Sequence, residues 1–368
     1  MRVLILSCNT GEGHNSCAKA IKEVCDKEGT PCDIEDILEY VGPKFARFIS
    51  WGHSTMYRSL PWLFRYGYTF FEKHPGNFDK NNWVYNILSK ASEKLYNHIK
   101  ENGYDTVICV HIFSSYILTD VIEKYDLKVK SCFVATDYTC SPCVKNSNLD
   151  YYFIPDDSLA DEFECDTIPK GKMVASGIPI RQAFYEHYSK EEAKEQFGID
   201  KYHPHLIMMC GSMGCGPMKR LVRLMSRENG FEMTVVCGAN EKLYKRLSKR
   251  HSAHQNIHIR GYELNMPLLM DSADLYLTKP GGLSTTEAYV KNLPMVCIDA
   301  VAGCEEYNCR FFMKKGVAKY GRSVKELRDA CVYLLEHYEE LLEMQSNLSK
   351  MEKQNAGETI YQFMTSEV

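Results

Sequence analysis

Two short stretches carry residue types whose spacing suits chemistry, and a third carries a metal-like pattern. The first runs Asp274-Leu-Tyr-Leu-Thr-Lys-Pro-Gly-Gly-Leu-Ser-Thr-Thr-Glu287. It reads as an apolar strand, a Lys279-Pro280-Gly281-Gly282 turn, and a helix expected to begin around Ser284 to Thr286. At such a junction the first N–H groups of the helix lack partners and gather positive partial charge, so a diphosphate can dock there. The two glycines permit its close approach. The second stretch, Gly11-x-Gly13-His14, follows the first strand-like run. Ser16 stands where a dinucleotide fingerprint has its third glycine, which leaves that match weak; Asp33 or Asp36 would be the ribose-binding acid on such a reading. The third, Cys140-Ser-Pro-Cys143, has no second pair at zinc spacing, so no metal site is expected.

Positioning these residues needs strand–turn–helix units. Val3–Ser7 reads as a buried strand, Asn15 to Lys27 as a helix, Cys32 to Leu38 as a second strand, and Asp105–His111 and Lys130–Thr136 as later ones. Tyr151–Pro155 follows as a short strand. His111, Thr136 and Asp137 fall at carboxyl ends, which face the ligand crevice in an open α/β sheet. His111 reads more readily as a wall residue that positions loops. After a charged boundary from Tyr188 to His203, a second series begins: His205–Cys210, the Gly211-Ser-Met-Gly214-Cys-Gly216 loop, Phe231–Cys237 and Asn256–Arg260. The alternation implies two Rossmann-like α/β halves.

At 368 residues the chain exceeds one ordinary core, and 45% hydrophobic residues with a net charge of -4 give no electrostatic case for a nucleic-acid partner. Met1-Arg-Val-Leu-Ile-Leu reads as strand rather than signal peptide. The 16 cysteines, scattered through apolar runs, are expected to be reduced and packed. Residues 44–85 differ from the rest. Thirteen aromatic residues, including Trp51 and Trp62, lie among six basic residues, Arg58 and Arg65 among them, and only two acidic ones. Rings with basic residues suit the headgroup region of an anionic membrane; the alternative is a packed helical subdomain.

Taken in order, Gly11-x-Gly13-His14, Thr136-Asp137, Gly177-Ile-Pro-Ile-Arg181, Cys237-Gly-Ala-Asn-Glu241, Gly261-Tyr262, Asp274 to Glu287 and Gly303-x-Glu305-x-x-Asn308 resemble the diacylglycerol glycosyltransferases. That family includes monogalactosyldiacylglycerol synthases and processive diacylglycerol glucosyltransferases. The resemblance implies a GT-B fold with two Rossmann-like domains facing across a cleft: 1–188 for the acceptor, 189–345 for the donor, and a tail, 346–368, returning to the first. It implies an inverting transfer of hexose from a UDP-sugar to diacylglycerol or a related glycerolipid. The location implied is peripheral, on the cytoplasmic face of the cell membrane.

His14 matches the family's catalytic base, a task that an imidazole titrating near neutrality fits; the alternative is a helix-start residue bonding backbone. Gly13, His111, Thr136 and Asp137 would line the acceptor side. The donor side would comprise Gly214, Gly261, Tyr262, Lys279, Gly281, Gly282, Ser284, Thr285, Glu287, Cys304, Glu305 and Asn308. Within it, Ser284 and Thr285 would be hydroxyl donors, Glu287 the ribose ligand, and Lys279 either a phosphate ligand or the partner of a neighbouring acid. With no Asp-x-Asp motif, no metal cofactor is expected. The family's Pro-Gly-Gln-Glu reads Ala302-Gly303-Cys304-Glu305 here, which removes an amide expected to hold the donor sugar. Transfer to a polyprenyl-linked acceptor, or a regulator that binds UDP-sugar or membrane without turnover, are the alternatives.

Overall fold

The computed structural model describes residues 1–59, 66, 83–211, 214, 216–298 and 303–366. Side chains of residues 50, 53–59, 83 and 84 lie outside that description, so the expectations for Trp62, Arg65 and the Arg58 side chain are not addressed by it.

The described residues form two compact units, each built on a six-stranded sheet whose paired strands all run parallel. The first sheet comprises β1 (Val3–Ser7), β2 (Cys32–Asp36), β3 (Thr106–Cys109), β4 (Lys130–Val134), β5 (Tyr151–Ile154) and β6 (Met173–Ala175), in the order β2-β1-β3-β4-β5-β6. The second comprises β7 (His205–Met209), β8 (Glu232–Val236), β9 (Ile257–Arg260), β10 (Leu275–Thr278), β11 (Met295–Ile298) and β12 (Ala318–Gly321), in the order β12-β11-β10-β7-β8-β9. Central strands such as Val-Leu-Ile-Leu-Ser of β1 are buried throughout, as continuous apolar runs must be when helices cover both faces. In the second unit Leu206, Met208, Leu275 and Leu277 share one core with Leu221, Val222, Leu327 and Leu334.

Each sheet reverses its winding once, between β1 and β3 and between β7 and β10. At those points the crossover helices diverge and leave a crevice at the carboxyl ends of the strands. The registers Leu6↔Cys109 and Thr278↔Met209 bring those ends level.

Three boundaries differ from the sequence reading. The second strand stops at Asp36, whose side chain accepts the Leu38 N–H at 3.0 Å and starts a helix at Ile37. Asp33 meanwhile accepts from Tyr104 at 2.7 Å and Arg2 at 3.3 Å, so neither acid stands as a ribose ligand. The first unit ends at Gln182 and takes back the chain from Gln354 onward. The helix Tyr338–Lys350 stays with the second unit because Leu341 and Met344 belong to its core. The last helix, Ala356–Thr365, packs on Glu12–Lys27 with Lys27 paired to Glu358 at 3.0 Å, Thr30 bonded to Tyr361 at 2.8 Å, and Phe363 edge-on to Tyr151 at 4.8 Å.

The amino end of the second sheet is fastened by a buried polar cluster. Asp274 accepts the His205 N–H at 2.8 Å and pairs with Lys190 and Lys194. The fully buried His205 ring meets Thr234 Oγ1 at 2.8 Å and Ser272 Oγ at 3.0 Å. Burial pushes this imidazole down from its ordinary 6.5 to about 3. The folded state thus holds the neutral form, and its stability is fully present above the unfolded value and lost as pH falls from 6.5 towards 3. One pH unit below the ordinary value, this group alone costs about 1.4 kcal/mol. Thermal unfolding followed from pH 7.5 to 5 should show a falling midpoint, and His205→Gln should flatten that slope; an unchanged slope would remove His205 as its source.

Candidate functional site

The sequence-predicted residues fall into two groups, one at the winding reversal of each sheet. In the first unit the helix Glu12–Lys27 follows β1 with Gly11 as N-cap, and no side chain caps it. It begins three residues earlier than the spacing of apolar residues implied, which puts Gly13 and His14 on its first turn. Gly13 is exposed and His14 half-buried. Ser7 bonds Asn15 at 2.6 Å and Asn15 bonds Asn9 at 2.7 Å, so the turn is tied on both sides. The sequence reading passed over Asn15; an amide one residue beyond the histidine and eight beyond a strand-end serine was its only signal.

The His14 ring has a defined orientation. Its Nδ1–H donates to the carbonyl oxygen of Val110 at 2.7 Å, and Thr136 Oγ1 lies 3.2 Å from the same nitrogen. A carbonyl only accepts, so Nδ1 carries a proton, and in the neutral ring the lone pair is then on Nε2. His111 is not the end of a strand but the N-cap of the helix Ile112–Tyr125, buried, with its ring 4.6 Å from that of His14. Thr136 is buried and Asp137 half-buried where β4 ends. Nearby, burial pushes the Cys8 thiol up to about 12, so it is a packed thiol rather than a nucleophile.

In the second unit the helix Gly282–Val290 opens directly on the turn, two residues earlier than expected, with Gly281 as N-cap. A serine or aspartate at that place would bond the helix's own N–H groups; Gly281 has no side chain to do so. Ser284 and Glu287 are half-buried on the first two turns. Thr285 differs from its expected role: it is fully buried, and its hydroxyl donates back to the carbonyls of Gly281 at 2.9 Å and Gly282 at 3.0 Å. This is the bond that threonine habitually makes within a helix.

Lys279 is paired with Glu305, a neighbouring acid. Its stem passes the loop after β7, where a Cβ on Gly211 would lie 3.6 Å from Lys279 Cε. Asn308 is fully buried, and its Nδ2 donates to the Pro280 carbonyl at 3.1 Å. The helix Cys304–Lys314 therefore braces the turn from beneath. Cys304, at its first position, is half-buried. Gly261 accepts the Gly238 N–H at 3.1 Å, and Tyr262 beside it is 68% exposed. Gly214 has a packing reason: φ is +56°, and a Cβ would lie 2.3 Å from the Cys237 carbonyl oxygen.

Among the described residues, the side chains grouped closely enough to hold a metal are Asp200, His203 and Glu232, and Glu232 opens β8 at the amino end of the sheet. Cys140 and Cys143 are unpaired thiols. Trp51 and Phe48, on the helix Pro43–Ser59, are 66% and 65% exposed.

Residues 14–180 match the family model of monogalactosyldiacylglycerol synthase, and residues 205–365 match that of the glycosyltransferase family 28 C-terminal domain. The chain is 25% identical over 364 residues to a processive diacylglycerol beta-glucosyltransferase of Bacillus licheniformis, covering 97% of this chain and 93% of that protein. It is 29% identical over 255 residues to the enzyme of that name from Staphylococcus saprophyticus, covering 69% of this chain and 63% of that one. It is also 25% identical over 342 residues to the chloroplastic monogalactosyldiacylglycerol synthase of Spinacia oleracea, covering 89% of this chain and 64% of that protein. Among solved structures, MurG of Acinetobacter baumannii superposes with a TM-score of 0.65 at 13% identity, over 99% of both chains. The spinosyn rhamnosyltransferase SpnG, complexed with thymidine diphosphate, gives 0.64 at 11% identity, over 99% of this chain and 100% of its own. The fold is GT-B.

Gly214 and Gly261 make opposite demands. Gly214→Ala forces a side chain into a left-handed backbone and against a carbonyl, which should cost about 1–3 kcal/mol and lower the unfolding midpoint by several degrees. Gly261 has no atom within 4 Å of a built Cβ. Gly261→Ala should leave the midpoint within about a degree, and calorimetry on both variants checks the contrast.

Proposed function

Because the chain belongs to the diacylglycerol glycosyltransferase family, we propose that it transfers a hexose from a UDP-sugar to diacylglycerol or a related glycerolipid, with inversion at the anomeric carbon. The observation that carries the mechanism is the His14 tautomer. With Nδ1–H held by Val110, Nε2 takes the proton of the acceptor hydroxyl as its oxygen attacks the anomeric carbon and the bond to UDP breaks.

Charge on the departing diphosphate falls on the uncapped N–H groups at Gly282, with Ser284 beside them. Lys279, held on Glu305 in this structure, is within the same turn and supplies a cation next to the phosphates. Asn308 keeps that turn in shape through the Pro280 carbonyl rather than by touching the donor. Glu287 takes the ribose hydroxyls, and the Gly261-Tyr262 turn takes the uracil. This assignment leaves no step for a metal ion. Binding of UDP is supported by the diphosphate-ready helix start, and lipid acceptance by the names of the relatives.

No helix among the described residues is long and apolar enough to cross a membrane. The exposed Trp51 and Phe48 on a helix that also carries Lys44 and Arg47 support attachment to an anionic surface, peripheral and on the cytoplasmic face.

Purified protein given diacylglycerol in anionic vesicles should release UDP from one UDP-hexose in preference to others and add mass to the lipid. Turnover should be unaffected by a chelator, and His14→Ala should lower it by a hundredfold or more, about the contribution of a positioned base. Mass gained only by a polyprenyl-linked acceptor would move the substrate class. UDP binding with no turnover on any acceptor would make the chain a regulator, with Cys304 in place of an amide as its motive. Turnover retained in His14→Ala would remove His14 from the base role.

A further inference from the structure

We propose that His111 is a positioning residue for His14, fixing both the plane and the tautomer of the base; the inference rests on His14 acting as the base in the reading above. The peptide between Val110 and His111 is the link. Its carbonyl accepts from His14 Nδ1–H at 2.7 Å, and its N–H lies 3.3 Å from Ser114 Oγ, which in turn donates to the His111 carbonyl at 2.6 Å. The helix cap at His111 thus sets the direction of the one carbonyl that orders the base.

The His111 side chain adds a second hold. Its Nδ1 accepts the Phe113 N–H at 3.1 Å, so that nitrogen carries a lone pair and the ring proton is on Nε2, where it faces Thr10 Oγ1 at 3.3 Å. Both ring nitrogens are committed and the ring cannot rotate without losing the cap. His111 is 8% exposed, and its ring stands at 81° to that of His14, with 4.6 Å between centroids. An immobile edge at that distance opposes the ring flip that would put Cδ2 in place of Nδ1 against the Val110 carbonyl. The Phe113 ring also packs on His111, with 4.8 Å between centroids.

A helix cap alone would explain a polar residue at 111, and asparagine distinguishes the two roles because it ranks among the best N-caps while lacking the ring. His111→Asn should keep the unfolding midpoint and the KM for the UDP-sugar, and lower kcat by about tenfold or more through misplacement of the base. His111→Ala should lose both midpoint and kcat. Wild-type kcat in His111→Asn would overturn the proposal and leave His111 a cap.

Two further readings separate its failure from failure of the base assignment. Combined with His14→Ala, His111→Asn should add no further loss, since a residue acting through His14 has nothing left to position. A full multiplicative loss in the double variant would make His111 act independently. Nitrogen chemical shifts of isotope-labelled histidine read the tautomer without turnover: His14 should be protonated at Nδ1 in the wild type and a mixture of tautomers in His111→Asn. An unchanged tautomer there would also sink the proposal. Normal turnover in His14→Ala, by contrast, would sink the base assignment itself.

Discussion

A parallel sheet that grows on both sides of its first strand must send its crossover helices to opposite faces, and where the direction changes no helix covers the carboxyl ends of the strands. Everything chemical in this chain sits on that constraint. In the first unit the change falls between β1 and β3, and the segments that follow those strands carry His14, on the first turn of its helix, and Val110 and His111. In the second it falls between β10 and β7, and the loops leaving them bring Lys279 against Gly211. Two strands in register end level, so residues a hundred positions apart in sequence meet within hydrogen-bonding distance.

The same constraint decides what the glycines are for. Both helices that leave these crevices, Glu12–Lys27 and Gly282–Val290, have a glycine at the N-cap and no side chain satisfying the first N–H groups. Asp36, Ser189, Asn240, Ser323 and Asn355 cap helices elsewhere with their side chains, while Ser92–Asn102, Met218–Met225, Met266–Asp271 and Tyr338–Lys350 also start without a side-chain cap. A capping side chain contributes about 1 kcal/mol to a helix. What sets the two crevice helices apart is a glycine at the N-cap, which leaves room for an outside group to approach the first N–H groups. The buried neighbours then compensate for the open turn: Asn308 holds Pro280, and Thr285 bonds its own helix, so the turn keeps its shape with the N–H groups unspent.

The alternating strand and helix pattern, the two halves and the turn residues were readable from the chain because apolar runs and glycines are properties of residue type. What escaped reading was the part made by backbone. Val110 matters through its carbonyl, which any residue would supply, and nothing in a side-chain pattern marks it. His111 looked like a strand terminus because the apolar run reaches it, yet the strand pairs only to Cys109 and the imidazole turns to cap the next helix. Thr285 looked like a donor because a hydroxyl near a helix start suits phosphate, and the alternative partner, a carbonyl four residues back, is again backbone. The late placement of both glycine-led helices has one cause: apolar spacing marks where a helix becomes amphipathic, while the helix begins at the uncapped turn before it.

Ordering the base through a carbonyl has a consequence that a carboxylate partner would not share. A carboxylate beside Nδ1 would also fix the tautomer, but it would add a negative charge next to the ring. The Val110 carbonyl gives direction with no net charge. The cost is that direction then depends on one peptide plane, which must be held as rigidly as a side chain would be. That requirement accounts for the density of bonds around it: the Val110 N–H on Leu6 at 3.1 Å, the His111 N–H on Ser114, and the His111 ring on Phe113 and Thr10. A ring ordered by backbone needs its helix cap, so the start of one helix and the orientation of a side chain on another become a single piece of structure.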